Sequence, residues 1–269
     1  MGQARQARLY AGTSARILVR ARGKRRGEGM IFVVGSPRSG TTFLAQALGQ
    51  QPDVVDLGEA QPLKAAIPEL ARLPADAAAA RVRRILERVR ALGFARGVRA
   101  VEQTPETAFV LGAALRAYPG SRAVHLVRDG RDVACSLLER GWLSAMRDGH
   151  DDAGHAFGAH ARFWVEPERR DEFARATDAR RAAWAWRRYV DAARSVADER
   201  VLEVRYERLG DCAEALTAHL RLDGTALAAS LGRAFISSVG RWRRDLAPEQ
   251  LIDVLAEAGD LLDELGYEM

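Results

Sequence analysis

Residues 31–44 read Ile-Phe-Val-Val-Gly-Ser-Pro-Arg-Ser-Gly-Thr-Thr-Phe-Leu, and their types and spacing suit one task, the holding of a multiply charged anion. Ile31 to Val34 are an apolar run of strand type, and Gly35 ends it. Thr41-Thr42 then open a helix whose apolar face includes Phe43, Leu44, Ala47 and Leu48. Strand, short loop and helix start together present backbone N–H groups and the positive end of a helix to phosphate or sulfate oxygens. Gly35 and Gly40 keep the spacing of the general phosphate loop, G-x-x-x-x-G-K-[ST], yet Thr41 stands where its lysine belongs. The cation of this loop is Arg38, inside it. An ordinary glycine-rich turn in another α/β fold would share these features.

The hexapeptide Pro37-Arg38-Ser39-Gly40-Thr41-Thr42 resembles the 5′-phosphosulfate loop of sulfotransferases that use 3′-phosphoadenosine-5′-phosphosulfate (PAPS), which reads PRSGTT or PKSGTT. Further on, Arg128-Asp129-Gly130-Arg131-Asp132-Val133-Ala134-Cys135-Ser136 resembles the same family's 3′-phosphate motif, RDGRDVxxS. The resemblance implies that Arg128 and Ser136 bind a 3′-phosphate. A guanidinium leaving a strand end can make bidentate contact with phosphate, and a serine two helical turns later offers a hydroxyl. Arg205-Tyr206-Glu207-Arg208-Leu209 is similar to the family's RYExL segment, which implies that Tyr206 lies near the adenine. Gly240-Arg241-Trp242-Arg243 is similar to its GRWR loop, which implies a phosphate contact for Arg241. The likeness spans about residues 30–267 and leans to the bacterial and protein-tyrosine branch.

Sulfuryl transfer moves SO₃ between two oxygens through a loose, in-line transition state, much as phosphoryl groups move. It needs alignment, stabilisation of the leaving 5′-phosphate, and a base for the acceptor proton. Arg38, with the amides of Ser39, Gly40, Thr41 and Thr42 and the hydroxyls of Thr41 and Thr42, fits the second need. For the base, Pro52-Asp53-Val54-Val55-Asp56-Leu57-Gly58-Glu59 is similar to a PDV…GE segment of the protein-tyrosine enzymes, whose glutamate is the base, and this points to Glu59. Glu102 is the second choice. His125 sits three residues before Arg128 inside a strand, where a core histidine is expected. His150, His155 and His160 are spaced by five, which places them on no common helical face, and no metal site is expected. The chain departs from the family at Glu102-Gln103-Thr104-Pro105, where many relatives read E-K-T-P: Gln103 carries no charge, so either Lys64 or an arginine compensates, or the acceptor is unusual or the rate low. The acceptor is expected to be a small molecule or a glycan. A P-loop small-molecule kinase and a non-catalytic nucleotide-binding protein are the alternatives.

These residues need a scaffold that brings strand ends together. Strands are expected at 31–34, 98–103, 122–127 and 201–204. Helices are expected at 76–92, 106–118, 132–140, 170–197, 212–221, 225–235 and 248–265. Such alternation indicates an α/β fold: a P-loop-type central parallel sheet of about four to five strands, helices on both faces, in one domain at 29–269. The irregular stretch 143–170 reads as a substrate-covering insertion, with Phe157, Phe163 and Trp164 as acceptor contacts. On the following helix Trp184 and Trp186 are two residues apart, so one of them is expected in the core. Residues 1–28, rich in arginine and glycine, read as a flexible or loosely docked extension.

With 269 residues and 48% hydrophobic content the chain can bury a large core. The net charge is +5 and the pI about 9.7, which suits a polyanionic ligand. Of the 41 basic residues only Lys24 and Lys64 are lysine, so the charge reflects a compositional arginine bias and is not read as a nucleic-acid footprint. Two cysteines, Cys135 and Cys212, make no disulfide framework, and no apolar run approaches the 18 residues of a membrane span. A cytoplasmic enzyme is the expectation.

Overall fold

The computed structural model describes residues 3–21, 29–93, 95–143, 156–157, 160–161, 165, 167–222, 225–232 and 236–268. The elements in order are α1 (Gln3–Ala21), β1 (Met30–Val34), α2 (Thr41–Gly49), β2 (Val54–Gly58), α3 (Gln61–Lys64), α4 (Ile67–Leu70), α5 (Ala75–Leu92) and β3 (Arg99–Glu102). A 3-10 turn at Pro105–Val110 leads into α6 (Leu111–Ala117), followed by β4 (Arg122–Val127) and α7 (Gly130–Arg140). Next come the short β5 (Ala156–Phe157) and β6 (His160–Ala161), α8 (Arg170–Arg175), α9 (Asp178–Arg194) and β7 (Val201–Arg205). The chain finishes with α10 (Ala213–Leu220), α11 (Thr225–Leu231), α12 (Trp242–Asp245) and α13 (Pro248–Glu264).

Five strands form one sheet in the order β2-β3-β1-β4-β7, every neighbouring pair parallel. Burial on both faces explains the unbroken apolar run of β1. Met30, Phe32 and Val34 join the larger core, under α5, α6, α7, α9 and α13, while Ile31 and Val33 join the smaller one, under α2, α10 and α11. The loops at the C-terminal ends of β1, β3 and β4 therefore converge at the middle of the sheet, where open parallel sheets bind ligands.

Several expected boundaries move. Residues 54–58 are a fifth strand, at the sheet edge. The helix expected over 106–118 starts as the 3-10 turn, and Val110 (φ −129°) separates it from α6. The helix expected over 170–197 is two helices. Ala176 is extended, and Thr177 caps α9 by accepting from the Arg180 amide at 3.2 Å. Trp184 and Trp186 are both buried, since α9 is packed between α7 and α13 and has little open surface at its centre. Helix α11 ends at Leu231, and residues 233–235 lie outside the described residues.

The N-terminal segment is also more ordered than its composition suggests. Residues 3–21 form α1, which lies against α5 and β2 with Tyr10 and Ile17 buried. A Cβ at Gly93 would come within 2.6 Å of Ile17 Cγ2, so the glycine admits the helix. Of the expected insertion 143–170, most residues, among them His150, His155, Phe163 and Trp164, lie outside the described ones. His160 and Phe157 fall in the antiparallel β5–β6 pair. Among the described residues no helix is long and apolar enough to cross a membrane.

Candidate functional site

The loop after β1 is shaped by its own turn chemistry. The Ser39 amide donates to the Ser36 carbonyl at 3.1 Å, closing a turn in which Arg38 adopts a left-handed conformation (φ 72°), and Gly40 follows at φ 91°. That use of the Ser39 amide removes it from the set of donors expected to face an anion; its hydroxyl stays. Gly40 is the N-cap of α2, and no side chain caps the helix, so its first-turn amides are left for a ligand. Gly40 also permits close packing, because a Cβ there would come within 2.6 Å of the Tyr206 ring. Thr41 is buried, and Thr42 donates to Gln103 Oε1 at 3.4 Å, which ties the start of α2 to the end of β3.

The second motif meets this loop directly. Arg38 Nε donates to Ser136 Oγ at 2.9 Å, across 98 residues of sequence. Arg128 donates through one terminal nitrogen to the Arg38 carbonyl at 3.2 Å and through the other to the Ser238 carbonyl at 2.7 Å. Its guanidinium lies 4.7 Å from the centre of the Tyr206 ring. Tyr206, buried and packed against Gly40 and Arg128, thus braces the two motifs, and little of its ring is left open for the adenine contact implied by the family.

Cations crowd this place. Burial, then the neighbouring Arg140, Arg128 and Arg241, pull the Arg38 pKa below its usual value. A guanidinium stays charged under such pressure, so the cluster gains from an anion placed within it. Arg241 is the exception to the expected roles. It pairs with Asp245 at 2.6 Å and Glu139 at 3.2 Å, and its charge is already matched. The loop that carries Arg241 is fixed by Asp132, whose carboxylate accepts from the Gly240 amide at 2.8 Å and the Trp242 amide at 3.0 Å.

The fit to a phosphosulfate donor can be tested on the polar atoms. Ser39 Oγ and Arg128 Nε are among the buried side-chain polar atoms of the described residues that lack a hydrogen-bond partner. A buried polar group left unpaired costs about 1–3 kcal/mol. Two such donors at the glycine cradle, beside the uncapped α2, fit a ligand rich in anionic oxygens.

Glu59 follows β2 and is about one-third exposed, with Oε2 3.2 Å from Lys64 Nζ. Lys64 is buried and also lies 3.3 Å from Glu106 Oε1, which accepts from the Tyr189 hydroxyl at 3.1 Å. Burial alone would lower the Lys64 pKa, but Glu106 and Glu59 outweigh it and raise it. Glu106, fully buried, is pushed up by desolvation despite Lys64. Sequence reasoning had Lys64 as a compensating cation but missed Glu106 and Tyr189 behind it. Glu106 lies 42 residues from Lys64, and Tyr189 lies 83 from Glu106, so no local pattern in the sequence signals either.

Glu102, the second-choice base, is fully buried. It accepts from the Thr104 amide at 2.8 Å and the Thr107 hydroxyl at 3.0 Å, so it holds the turn after β3. Burial raises its pKa to about 7. His125 is in the core as expected, with Nδ1 3.1 Å from Glu203. Among the described residues no three His, Cys, Asp or Glu side chains gather as a metal site.

The sulfotransferase domain of the curacin biosynthetic pathway is similar in structure to this chain (TM-score 0.54, 17% identity, covering 91% of this chain and 100% of that one). So is the sulfotransferase domain of the Synechococcus PCC 7002 olefin synthase (TM-score 0.54, 17% identity, 91% and 97%). Sulfotransferase STF9 from Mycobacterium avium follows with a TM-score of 0.52 and 14% identity, over 97% and 82%. These likenesses speak for the fold. No curated protein sequence matches the chain. The model of the sulfotransferase family matches residues 30–221, a span that holds both phosphate motifs, the Glu59 turn and the sheet that carries them, and the chain belongs to that family.

Proposed function

We propose that this protein transfers a sulfuryl group from PAPS to a hydroxyl of a small molecule or glycan, with Glu59 as general base and Arg38 at the leaving phosphate. The observation that carries the reading is the hydrogen bond of Arg38 to Ser136, with Arg128 on the Arg38 carbonyl. Two motifs far apart in sequence thereby form one cationic cradle, suited to a ligand with phosphates at both ends.

PAPS, when bound, supplies a sulfuryl group activated on a 5′-phosphate. Arg38 and the first-turn amides of α2 stand ready to stabilise charge there without reorganising, which is the largest part of such catalysis. Arg128 Nε and the hydroxyls of Ser136 and Ser39 are the donors for the remaining phosphate. Glu59 takes the acceptor proton on Oε1, since Oε2 is held by Lys64. Proton transfer to a positioned base of this kind contributes about 10²–10⁴-fold to rate. Gln103, occupied with Thr42, adds no charge, and Lys64 is the cation beside the base.

The test is calorimetric titration of the protein with 3′-phosphoadenosine-5′-phosphate (PAP) and, separately, with ATP and Mg²⁺. Micromolar binding of PAP and none of ATP is expected. The reverse pattern would favour the kinase and sink the proposal. Glu59→Gln should keep PAP binding within about threefold while turnover with PAPS falls about 100-fold or more.

A further inference from the structure

The family match begins at residue 30, and α1 lies wholly outside it. Yet the last turn of α1 reaches the backbone that presents Glu59. One terminal nitrogen of Arg20 lies 2.8 Å from Asp56 Oδ2 and donates to the Asp56 carbonyl at 3.1 Å. The other carboxylate oxygen of Asp56 accepts from the Gly58 amide at 2.7 Å, which closes a tight turn one residue before Glu59. At this turn the β2–β3 register shifts between Asp56 and Gly58, and Gly58 adopts φ +67°. The backbone therefore leaves the sheet ladder here, and its direction is set by side-chain contacts. The guanidinium lies close against the turn, for a Cβ at Gly58 would be 3.2 Å from the same Arg20 nitrogen. Tyr10 and Ile17, both buried, seat the helix and fix where Arg20 can reach, and Arg88 covers the Tyr10 ring at 4.6 Å.

We infer that Arg20 is a positioning residue for Glu59, acting through Asp56, and that α1 is a working part of the candidate site. Asp56 is largely buried, and burial raises its pKa against the opposing pull of Arg20. The arginine thus favours the ionised carboxylate, the stronger acceptor for the Gly58 amide. With Lys64 gripping Oε2 from the far side, Glu59 is aimed from both its backbone and its side chain. A carboxylate that must meet an acceptor hydroxyl gains from such support, because misplacement by about 1 Å can cost 10²-fold in rate. The inference rests on the reading of Glu59 as base.

The experiment uses the full chain with Arg20→Met, the conservative Arg20→Lys and, as a second route to the same contact, Asp56→Asn. Arg20 is 39% exposed in its side chain but Asp56 only 10%, so Arg20→Met should lower the melting temperature, and the variants are compared at a temperature where circular dichroism shows each fully folded. Hydrogen exchange at the Gly58 amide, followed by NMR, needs no acceptor. It should quicken about tenfold or more in Arg20→Met and Asp56→Asn and return toward wild type in Arg20→Lys. Turnover of PAPS, with water and a panel of phenols and sugars as acceptors, should show kcat down about tenfold in Arg20→Met with KM for PAPS unchanged. Unaltered Gly58 exchange, or quickened exchange with kcat intact, would overturn the inference. Failure of the wild-type protein to bind PAP would instead defeat the proposed function, whatever Gly58 shows.

Discussion

Replacing Lys64 by methionine keeps most of the aliphatic stem and deletes the one cation between two carboxylates. In the wild-type protein Lys64 Nζ lies 3.2 Å from Glu59 and 3.3 Å from Glu106, and the Glu106 side chain is only 2% exposed. Removing one partner of a buried pair costs about 3–5 kcal/mol, because the other charge stays buried. Glu106 can limit that loss by keeping a proton. Its folded pKa already lies above the ordinary 4.5, and without Lys64 it rises further. A carboxyl whose pKa is raised in the folded state loses stability as pH climbs from its unfolded pKa to its folded one, at about 1.4 kcal/mol per unit. The Lys64 ammonium, with its own pKa raised above 10.5, contributes fully throughout the acid and neutral range and adds no slope there. Lys64→Met should therefore be destabilised by about 3 kcal/mol at pH 8 and by less at pH 5.5, where Glu106 keeps more of its proton. At pH 8 this is roughly 6–12 °C in melting temperature for a domain of this size. Thermal and urea unfolding at both pH values measure it. In a Glu106→Gln background the same substitution should lose less than half as much, the coupling expected of residues in contact. An equal deficit at the two pH values, or a larger one at pH 5.5, would refute the account of Glu106 as an ionised carboxylate held by Lys64.

Three further outcomes follow from the site. Arg128→Met should weaken PAP binding about 10- to 100-fold by calorimetry, since hydrogen bonds to a charged group contribute about 1.5–3 kcal/mol. Gly40→Ala places a Cβ 2.6 Å from the Tyr206 ring at φ 91°, and should lower stability by about 1–3 kcal/mol and abolish measurable PAP binding, with Tyr206→Leu restoring part of the stability. Glu102, raised to about 7, withdraws stability as pH rises from 4.5 to 7; Glu102→Gln should flatten the pH–stability curve across that window, and unchanged curvature in urea titrations would contradict the assignment.

Local chemistry was legible in the sequence wherever a residue's own neighbours fix its conformation. The apolar run of β1, Gly40 before the Thr41-Thr42 helix start and the Arg128–Ser136 spacing all describe arrangements closed within a turn or two. The break between α8 and α9 could have been read the same way, because Thr177-Asp178 is an N-cap signal that the strong helical composition on both sides overrode. Residues 54–58 were harder. Asp56 interrupts the apolar pattern, and its contacts with Arg20 and the Gly58 amide account for a carboxylate there.

Charge partners were not legible, for a physical reason. An arginine or glutamate has no sequence-local preference strong enough to name its counter-ion, and in this chain arginine is so frequent that any one of them could pair with any acid. Arg241 illustrates the consequence. The family likeness implies that it reaches a phosphate, whereas Asp245 and Glu139 take its charge. Binding of an anion by Arg241 would have to repay both contacts, while Arg38 and Arg128, pressed together by burial, lose repulsion when an anion arrives. The same distinction separates the two carboxylates near the site. Glu102 is fully buried and committed to Thr104 and Thr107, and Glu59 keeps one oxygen outside its pair with Lys64. The proposed base needs an oxygen to receive a proton and a route for the acceptor to reach it, and the partial exposure of Glu59, with Lys64 on its other oxygen, is what supports choosing it over Glu102.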